Sequence, residues 1–184
     1  MHAENEYTSA RLNTAGKFDF TYGKVVAKMK LPSGKAIWPA FWMLGSNIDE
    51  NGGDTLWPVT GEIDILELWG TDSASVVEAN VHYADASGQH TQMGAEGYHL
   101  PKGNFSDDFH EFEFEWTKEH MIWKVDGKSY HRLTITDPKY YAFHKDFFLL
   151  LNIAVGGEIA GYPDKTTPLP QKMVVDFIKV YQKK

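Results

Sequence analysis

Residues 110–116 read His-Glu-Phe-Glu-Phe-Glu-Trp, an unbroken alternation of polar and aromatic side chains. Side chains of a β-strand point to opposite faces in turn, so this stretch predicts a strand with one apolar face. The same period of two recurs in residues 24–31, 121–125, 129–133 and 173–181. No segment shows a convincing helical stripe longer than two turns. The pattern predicts an all-β protein, an antiparallel sandwich of two sheets.

The segments between these strands support the same architecture. Asp126-Gly127 is a strong hairpin signal between two alternating stretches. The continuous apolar run at residues 147–155 is typical of a strand covered on both faces. Trp116 and Trp123 lie on strongly alternating strands and are interpreted as core. Three segments rich in Gly, Asp, Ser and Asn are interpreted as loops: residues 45–54, 84–97 and 156–167.

Composition limits the classes of function. The 184 residues predict one domain spanning 1–184, with a sizeable core. A net charge of −7 without a basic run argues against nucleic acid as the main partner. No apolar stretch approaches the length of a membrane span, and no signal peptide is visible. The chain has no cysteine, which excludes disulfides and thiolate metal sites.

Residues 62–67, Glu-Ile-Asp-Ile-Leu-Glu, interleave three carboxylates with three aliphatic side chains. On a regular strand Glu62 and Asp64 share one face, whereas Glu67 points to the other face and Leu66 joins the acids. One extra residue, a β-bulge, returns Glu67 to the acidic face and Leu66 to the core. Like charges gathered so closely shift one another's pKa values, which favours a functional role.

Several interpretations of these acids remain open on spacing alone. Alternating acids usually form nothing more than a solvated strand face. Two carboxyls on one face, about 5–5.5 Å apart, are the machinery of a retaining glycosidase. The spacing does not match a calcium-binding EF-hand loop. The nearby indoles of Trp38, Trp42 and Trp57 favour a carbohydrate cleft, because indole faces stack on sugar rings.

At this point the sequence resembles a known family. Residues 61–67, in the bulged form E-x-D-x-x-E, resemble the active-site signature of family 16 of the glycoside hydrolases. Segments 31–45, 122–127, 151–157 and 173–182 are similar, in order and spacing, to bacterial laminarinases, the endo-β-1,3-glucanases. The resemblance implies a concanavalin-like β-jelly-roll with a substrate cleft across one sheet. It also implies hydrolysis within the polymer chain, with retention of configuration.

The resemblance implies roles for individual residues. Glu62 is then the nucleophile, Asp64 its assistant and Glu67 the acid/base, and no cofactor is required for catalysis. Three aromatics are implied to line the glycone subsites: Trp38, Trp42 and Trp57. His82 matches a cleft histidine beside the catalytic strand. Two weaker cleft candidates are Arg11 and Asn13. The remaining histidines, His90 among them, are interpreted as surface or core residues, and loop 84–97 is expected to border the aglycone side.

Family members usually carry some tens of residues before the segment that begins at Tyr7. We therefore expect an N-terminally shortened sandwich with exposed sheet edges or core, and we expect marginal stability, a compensating rearrangement or self-association through those edges as the consequence. Asp176 matches the side-chain ligand of a structural calcium in many members, whereas the other ligands come from the preceding region. That calcium site is therefore doubtful.

The resemblance also narrows the substrate. The bulged signature occurs in laminarinases, agarases, porphyranases and carrageenases, and residues 38–42 favour laminarin-type β-1,3-glucan, with mixed β-1,3/1,4-glucan as an extension. Three alternatives stay open: a carbohydrate-binding sandwich with impaired catalysis, a transglycosylase, and an algal galactan hydrolase of the same family. A polysaccharide substrate places the protein in the extracellular space or the periplasm, although this chain shows no signal peptide.

Overall fold

A computed structural model describes residues 6–70 and 74–183, and thirteen strands lie within these ranges. In chain order they are β1 (Arg11–Asn13), β2 (Asp19–Phe20), β3 (Gly23–Lys30), β4 (Ile37–Gly45), β5 (Glu62–Glu67), β6 (Val76–Ala84), β7 (His90–Gly94), β8 (Tyr98–His99), β9 (His110–Trp116), β10 (His120–Val125), β11 (Lys128–Thr134), β12 (Phe147–Val155) and β13 (Val174–Tyr181).

The strands form two antiparallel sheets, as the sequence predicts. The eight-stranded sheet has the order β1-β12-β4-β5-β6-β7, with β2 paired to β12 and β8 paired to β6. The five-stranded sheet has the order β11-β10-β9-β3-β13. The acidic strand β5 therefore lies inside the larger sheet, between β4 and β6.

The core lies between the sheets and is built from the alternating residues. The apolar face of β9 contributes Phe112, Phe114 and Trp116, all buried. From the opposite sheet, Phe41 of β4 and Ile63 of β5 belong to the same cluster. The alternation at residues 110–116 thus predicted both the strand and its buried face. Because β5 directs its aliphatics into this core, its acids are left for the face that points away from it.

Two segments differ from expectation. Residues 84–97 are not one loop, because His90–Gly94 forms β7 beside β6. The carboxylate of Asp85 accepts the N–H groups of Ser87 and Gln89, which closes a tight turn before the strand. The sequence of β7 lacks an apolar face, so its alternation was not visible. Strand β12 is buried only in its first four residues, and its second half is partly exposed.

Helical structure is confined to short pieces. Two 3₁₀ helices, Asp49–Asn51 and Pro138–His144, lie in the connections. None of the helices in residues 6–70 and 74–183 has the length and apolar character needed to cross a membrane.

The edge strands β1 and β13 expose apolar side chains. Leu12 on β1 is 67% exposed, and Val174 and Val175 on β13 are 43% and 39% exposed. Unpaired strand edges with apolar side chains are templates for pairing with another chain. Self-association through these edges stays a prediction.

Candidate active site

The bulge on β5 brings its three acids to one side of the sheet. The step from Asp64 to Glu67 takes three residues of β5, whereas the opposite step takes two residues on both β4 and β6. Ile63, Ile65 and Leu66 are all buried. The sequence-based prediction of an extra residue before Glu67 is confirmed by this register.

A tryptophan of the other sheet holds the bulge from behind. Trp123 on β10 is fully buried, and its indole N–H donates to the backbone carbonyl of Asp64 over 2.9 Å. A bulge disrupts the ladder locally, so its backbone groups need other partners. Trp123 is therefore a core residue, as predicted, and it also satisfies the acceptor next to the extra residue.

The acids open into a small cavity of about 170 Å³. It is lined by Trp38, Ala40, Trp42, Glu62, Asp64, Glu67, Asn152 and Ala154. Trp38 and Trp42 share one face of β4, as predicted, and the small side chain of Ala40 between them leaves room above the acids. The cleft floor thus joins β12, β4 and β5.

Each terminal acid of β5 is held by an indole N–H. Trp57 Nε1 donates to Glu62 Oε2 over 2.8 Å. Trp38 Nε1 donates to Glu67 Oε1 over 3.0 Å. Hydrogen bonds to a carboxylate orient it and favour its charged form. The two acids therefore have fixed directions, from opposite ends of one strand.

The three acids of β5 differ in the causes that shift their pKa values. Burial, followed by repulsion from Asp64 and Glu62, raises the pKa of Glu67 to about 9. Burial and the charge of Glu62 raise the pKa of Asp64 well above its usual range. Burial also raises the pKa of Glu62, but His82, Trp57 and a hydrogen bond from Asp64 oppose that rise. With a pKa of about 9, Glu67 therefore keeps its proton at neutral pH, and Glu62 is the acid whose neighbours oppose the effect of burial on its pKa.

His82 lies beside the middle acid, and a second histidine stands behind it. His82 Nε2 lies 3.3 Å from Asp64 Oδ2, and His82 Nδ1 lies 2.9 Å from His90 Nε2. The interpretation of His90 as an ordinary surface or core residue misses this contact. The signal available was the turn at residues 85–88, since a hairpin there brings residues on its two sides together.

Trp69 is a further aromatic that the sequence analysis did not single out. Its ring centroid lies 4.3 Å from that of Trp38, and its indole N–H donates to Glu78 over 3.1 Å. Residues two apart on a strand share a face, so its position after Glu67 was the available signal. Trp38 and Trp69 form a paired indole surface at the Glu67 end of the cleft.

Of the weaker candidates, Arg11 approaches the cleft and Asn13 does not. The Arg11 guanidinium lies 5.0 Å from the centroid of the Trp42 ring, a cation–π distance. The indole N–H of Trp42 donates to Asn152 Oδ1 over 2.7 Å. Asn13 is exposed, and its side chain accepts the N–H of Ala15 in a local turn.

Known proteins match this chain over nearly its whole length. The family described as "Glycosyl hydrolases family 16" matches residues 2–178. The chain belongs to family 16 of the glycosyl hydrolases. A "Beta-glucanase" of Rhodothermus marinus is 39% identical over 96% of this chain and 63% of its own length. The laminarinase catalytic domain of Thermotoga petrophila superposes with a TM-score of 0.80 and 45% identity, covering 95% of this chain and 69% of that domain.

The family also includes a relative named for binding. A "Beta-1,3-glucan-binding protein" of Penaeus monodon is 34% identical over 90% of this chain and 51% of its own length. The chain thus spans less than two thirds of the length of these two curated relatives.

Within the family-16 cleft the three predicted tryptophans do not form one row. Trp57 packs on the histidines of β6 and β7, with ring centroids 6.0 Å from His82 and 4.6 Å from His90. Trp38 and Trp42 lie on β4, on the other side of the acidic strand. A common glycone role for all three stays a prediction from the family resemblance.

The structure places Asp176, the calcium ligand implied by the resemblance, beside a lysine, and the calcium site stays a prediction. Its carboxylate is half exposed and lies 3.5 Å from Lys28 Nζ. Over residues 6–70 and 74–183, only one group of three or more acids and histidines lies close enough to share a cation, namely Glu62, Asp64 and His82. Asp176 therefore acts as the partner of a lysine in the residues described.

Proposed function

We propose that this chain is a retaining endo-β-1,3-glucanase of the laminarin type. The observation that carries the proposal is the placement of three acids on one face of a bulged strand, with the two end acids each held by an indole N–H. Glu67 is buried with its pKa raised to about 9, Asp64 lies between the two glutamates with its pKa raised by burial, and the groups around Glu62 oppose the rise of its pKa. A retaining glycosidase needs one carboxylate and one carboxylic acid on the same cleft wall.

In the first step the Glu62 carboxylate attacks the anomeric carbon. The proton of Glu67 passes to the glycosidic oxygen as the carbon–oxygen bond breaks, and the leaving chain departs as an alcohol. Glu62 is then bonded covalently to the sugar, and Glu67 is ionised. The hydrogen bond from Asp64 stabilises the charge of Glu62 before attack and again as it leaves.

In the second step Glu67 acts as a base. It takes a proton from water as the water oxygen attacks the anomeric carbon, and the bond to Glu62 breaks with its electron pair returning to the carboxylate. Two displacements at one carbon retain the β configuration. Both carboxyl groups end in their starting proton states, so the cycle closes without a cofactor.

A neutral β-glucan fits the chemistry of this cleft. Trp38 and Trp42 offer indole surfaces for sugar rings, and Asn152 supplies an amide. Arg11 is the single cation that contacts these cleft residues in the described chain, whereas sulfated galactans call for several. The names of the two enzyme relatives support the same polymer class, with mixed β-1,3/1,4-glucan as an extension. Because such a polymer is met outside the cytoplasm, we also propose an extracellular or periplasmic location.

The test combines product release with stereochemistry. Purified protein is incubated with laminarin, lichenan, agarose and carrageenan, and reducing ends are counted. Proton NMR of the earliest laminarin products follows the anomeric signal, and β-anomer first is the expected result. Mass analysis of early products separates hydrolysis from transfer, since transfer yields oligosaccharides longer than the substrate. Initial release of the α-anomer would contradict retention of configuration. A failure to release reducing ends from any glucan would contradict the proposal that the chain is an enzyme.

A second candidate function is glucan binding without turnover. The relative named as a β-1,3-glucan-binding protein favours it. The three acids and their indole partners favour the enzyme instead, because a binding site gains nothing from buried acids that repel one another. Laminarin retention in affinity electrophoresis together with zero reducing-end release would assign the chain to this second class.

A further inference from the structure

His90 stands behind His82, on the side away from the acids. His82 Nδ1 lies 2.9 Å from His90 Nε2, and the two rings are stacked, with centroids 5.1 Å apart and planes inclined by 20°. The other ring nitrogen of His82 lies 3.3 Å from Asp64 Oδ2. One line of contacts thus runs from His90 on β7, through His82 on β6, to Asp64 on β5.

A second contact fixes His90 in place. The Trp57 ring centroid lies 4.6 Å from that of His90, and the Trp57 indole donates to Glu62. His90 also follows directly on the turn that Asp85 closes with its carboxylate. The histidine is therefore held by a rigid turn on one side and by an aromatic ring on the other.

The contact with Asp64 bears on which nitrogen of His82 carries hydrogen. Asp64 Oδ2 is buried and forms no hydrogen bond in this structure. A buried carboxyl oxygen needs a donor, and His82 Nε2, 3.3 Å away, is a ring nitrogen that can supply one. An imidazole that directs its single N–H to Asp64 through Nε2 has Nδ1 left as a hydrogen-bond acceptor.

We propose that His90 is a positioning residue, which donates its Nε2–H to His82 Nδ1 and thereby holds the Nε2–H of His82 toward Asp64. The proposal rests on the proposed function, because Asp64 matters as the assistant of the nucleophile. The hydrogen bond at one ring nitrogen of a histidine sets which nitrogen carries the proton, so a residue bonded there can affect activity without touching the substrate.

The charged surroundings agree with a neutral donor at this position. The acids that face the pair are Glu62 and Asp64 on β5, and Trp57 from the preceding connection is uncharged. Burial and repulsion from His82 lower the pKa of His90. A neutral His90 keeps one N–H to donate and adds no positive charge that would favour ionisation of Asp64.

The experiment compares three variants. His90→Ala removes the donor, and kcat on laminarin should fall about tenfold with little change in KM. His90→Gln can donate its amide N–H to His82 Nδ1 and should restore most of kcat. Thr91→Ala, on the opposite face of the same strand, is the matched control and should behave as the unmodified protein. Circular dichroism and thermal melting establish that each variant folds.

A second measurement needs no substrate. Nitrogen-15 shifts of the His82 ring report which nitrogen carries hydrogen, and the Nε2–H form is expected, with a mixture of forms in His90→Ala. The proposal is overturned if His82 has the Nδ1–H form, if His90→Ala leaves both kcat and the ring shifts unchanged, or if His90→Gln loses as much as His90→Ala. If the unmodified protein does not cleave laminarin, the proposed function fails, and the ring shifts still decide the role of His90.

Discussion

Strands β5 and β9 both interleave acids with apolar residues but surround the acids differently. On β9, Glu113 forms an ion pair with Lys24, and Glu115 accepts from Lys124 over 2.5 Å. On β5, no lysine or arginine forms an ion pair with any of the acids in the residues described. The partners there are indole N–H groups and a histidine.

This difference in partners separates a strand face with ordinary ion pairs, on β9, from the strand face that we propose to be reactive, on β5. On β9 Glu113 and Glu115 each have an ammonium group beside them, and the pKa of Lys24 is raised by Glu113 in return. On β5 burial without a cation leaves protons as the means of removing charge. A protonated carboxylic acid can transfer its proton to a substrate, whereas a carboxylate that is neutralised by a lysine has no proton to transfer. The alternation alone does not distinguish the two cases.

The largest expected effect separates the two strands by activity. Glu62→Gln removes the nucleophile and should lower kcat on laminarin by about a thousandfold or more, because no other group attacks the anomeric carbon. Glu113→Gln on β9 should stay within about twofold of the unmodified protein, since it lies on the other sheet. Near-normal hydrolysis by Glu62→Gln would contradict the assignment of Glu62 as nucleophile. It would also remove the expected difference in activity between the acids of β5 and those of β9.

The next effect tests the acid. Glu67→Ala should slow laminarin hydrolysis by roughly 10²- to 10⁴-fold, because the leaving sugar needs a proton. Aryl glucosides with good leaving groups should lose far less, since they depart as stable anions. Glu115→Ala is the matched change on β9. Equal losses on both substrates would contradict the role of Glu67 as acid.

A third effect concerns stability, and the two strands should respond with opposite signs. The folded-state pKa of Glu67 is raised to about 9, so its contribution to folding is full below its unfolded pKa and is lost as pH rises toward 9. At pH 8 the neutral isostere in Glu67→Gln should therefore raise Tm by a few degrees. Glu113→Gln should lower Tm by about 1–3 °C, because Lys24 loses its partner.

Thermal melts between pH 5 and pH 9 provide the measurement. The gain from Glu67→Gln should grow with pH, while the loss from Glu113→Gln should change little over that range. A Tm for Glu67→Gln at or below that of the unmodified protein at pH 8 would show that burial of this acid carries no cost.

The smallest effect lies in the pH profile. Glu67 must hold its proton to act as the acid, so the rate should fall as pH rises through about 9. The hydrogen bond from Trp38 lowers the pKa of Glu67, and Trp38→Phe should move this alkaline limb upward by a fraction of a pH unit. Trp57→Phe should leave the alkaline limb in place and move the acidic limb upward instead, because Trp57 lowers the pKa of Glu62.

Much of the fold and the centre of the site followed from periodicity. The alternation at residues 110–116 fixed a strand and its buried face, and the mismatch of Glu67 with a regular strand required the bulge. The roles of His90 and Trp69 were not predicted, because they depend on which strands pair. The local sequence pattern does not specify strand pairing. The hydrogen bond from Trp123 to the Asp64 carbonyl joins residues of different sheets, and no pattern in either sequence segment predicts it.

The extra residue of β5 corresponds to a single codon in the gene. Deleting one residue between Asp64 and Glu67 gives acids at every second position, and these again share one face of a regular strand. A single in-frame codon therefore separates two spacings of the same three acids, and neither spacing sends an acid into the core. Trp123 would then lose its acceptor at the bulge, so the cost of that deletion should fall on the opposite sheet rather than on the chemistry.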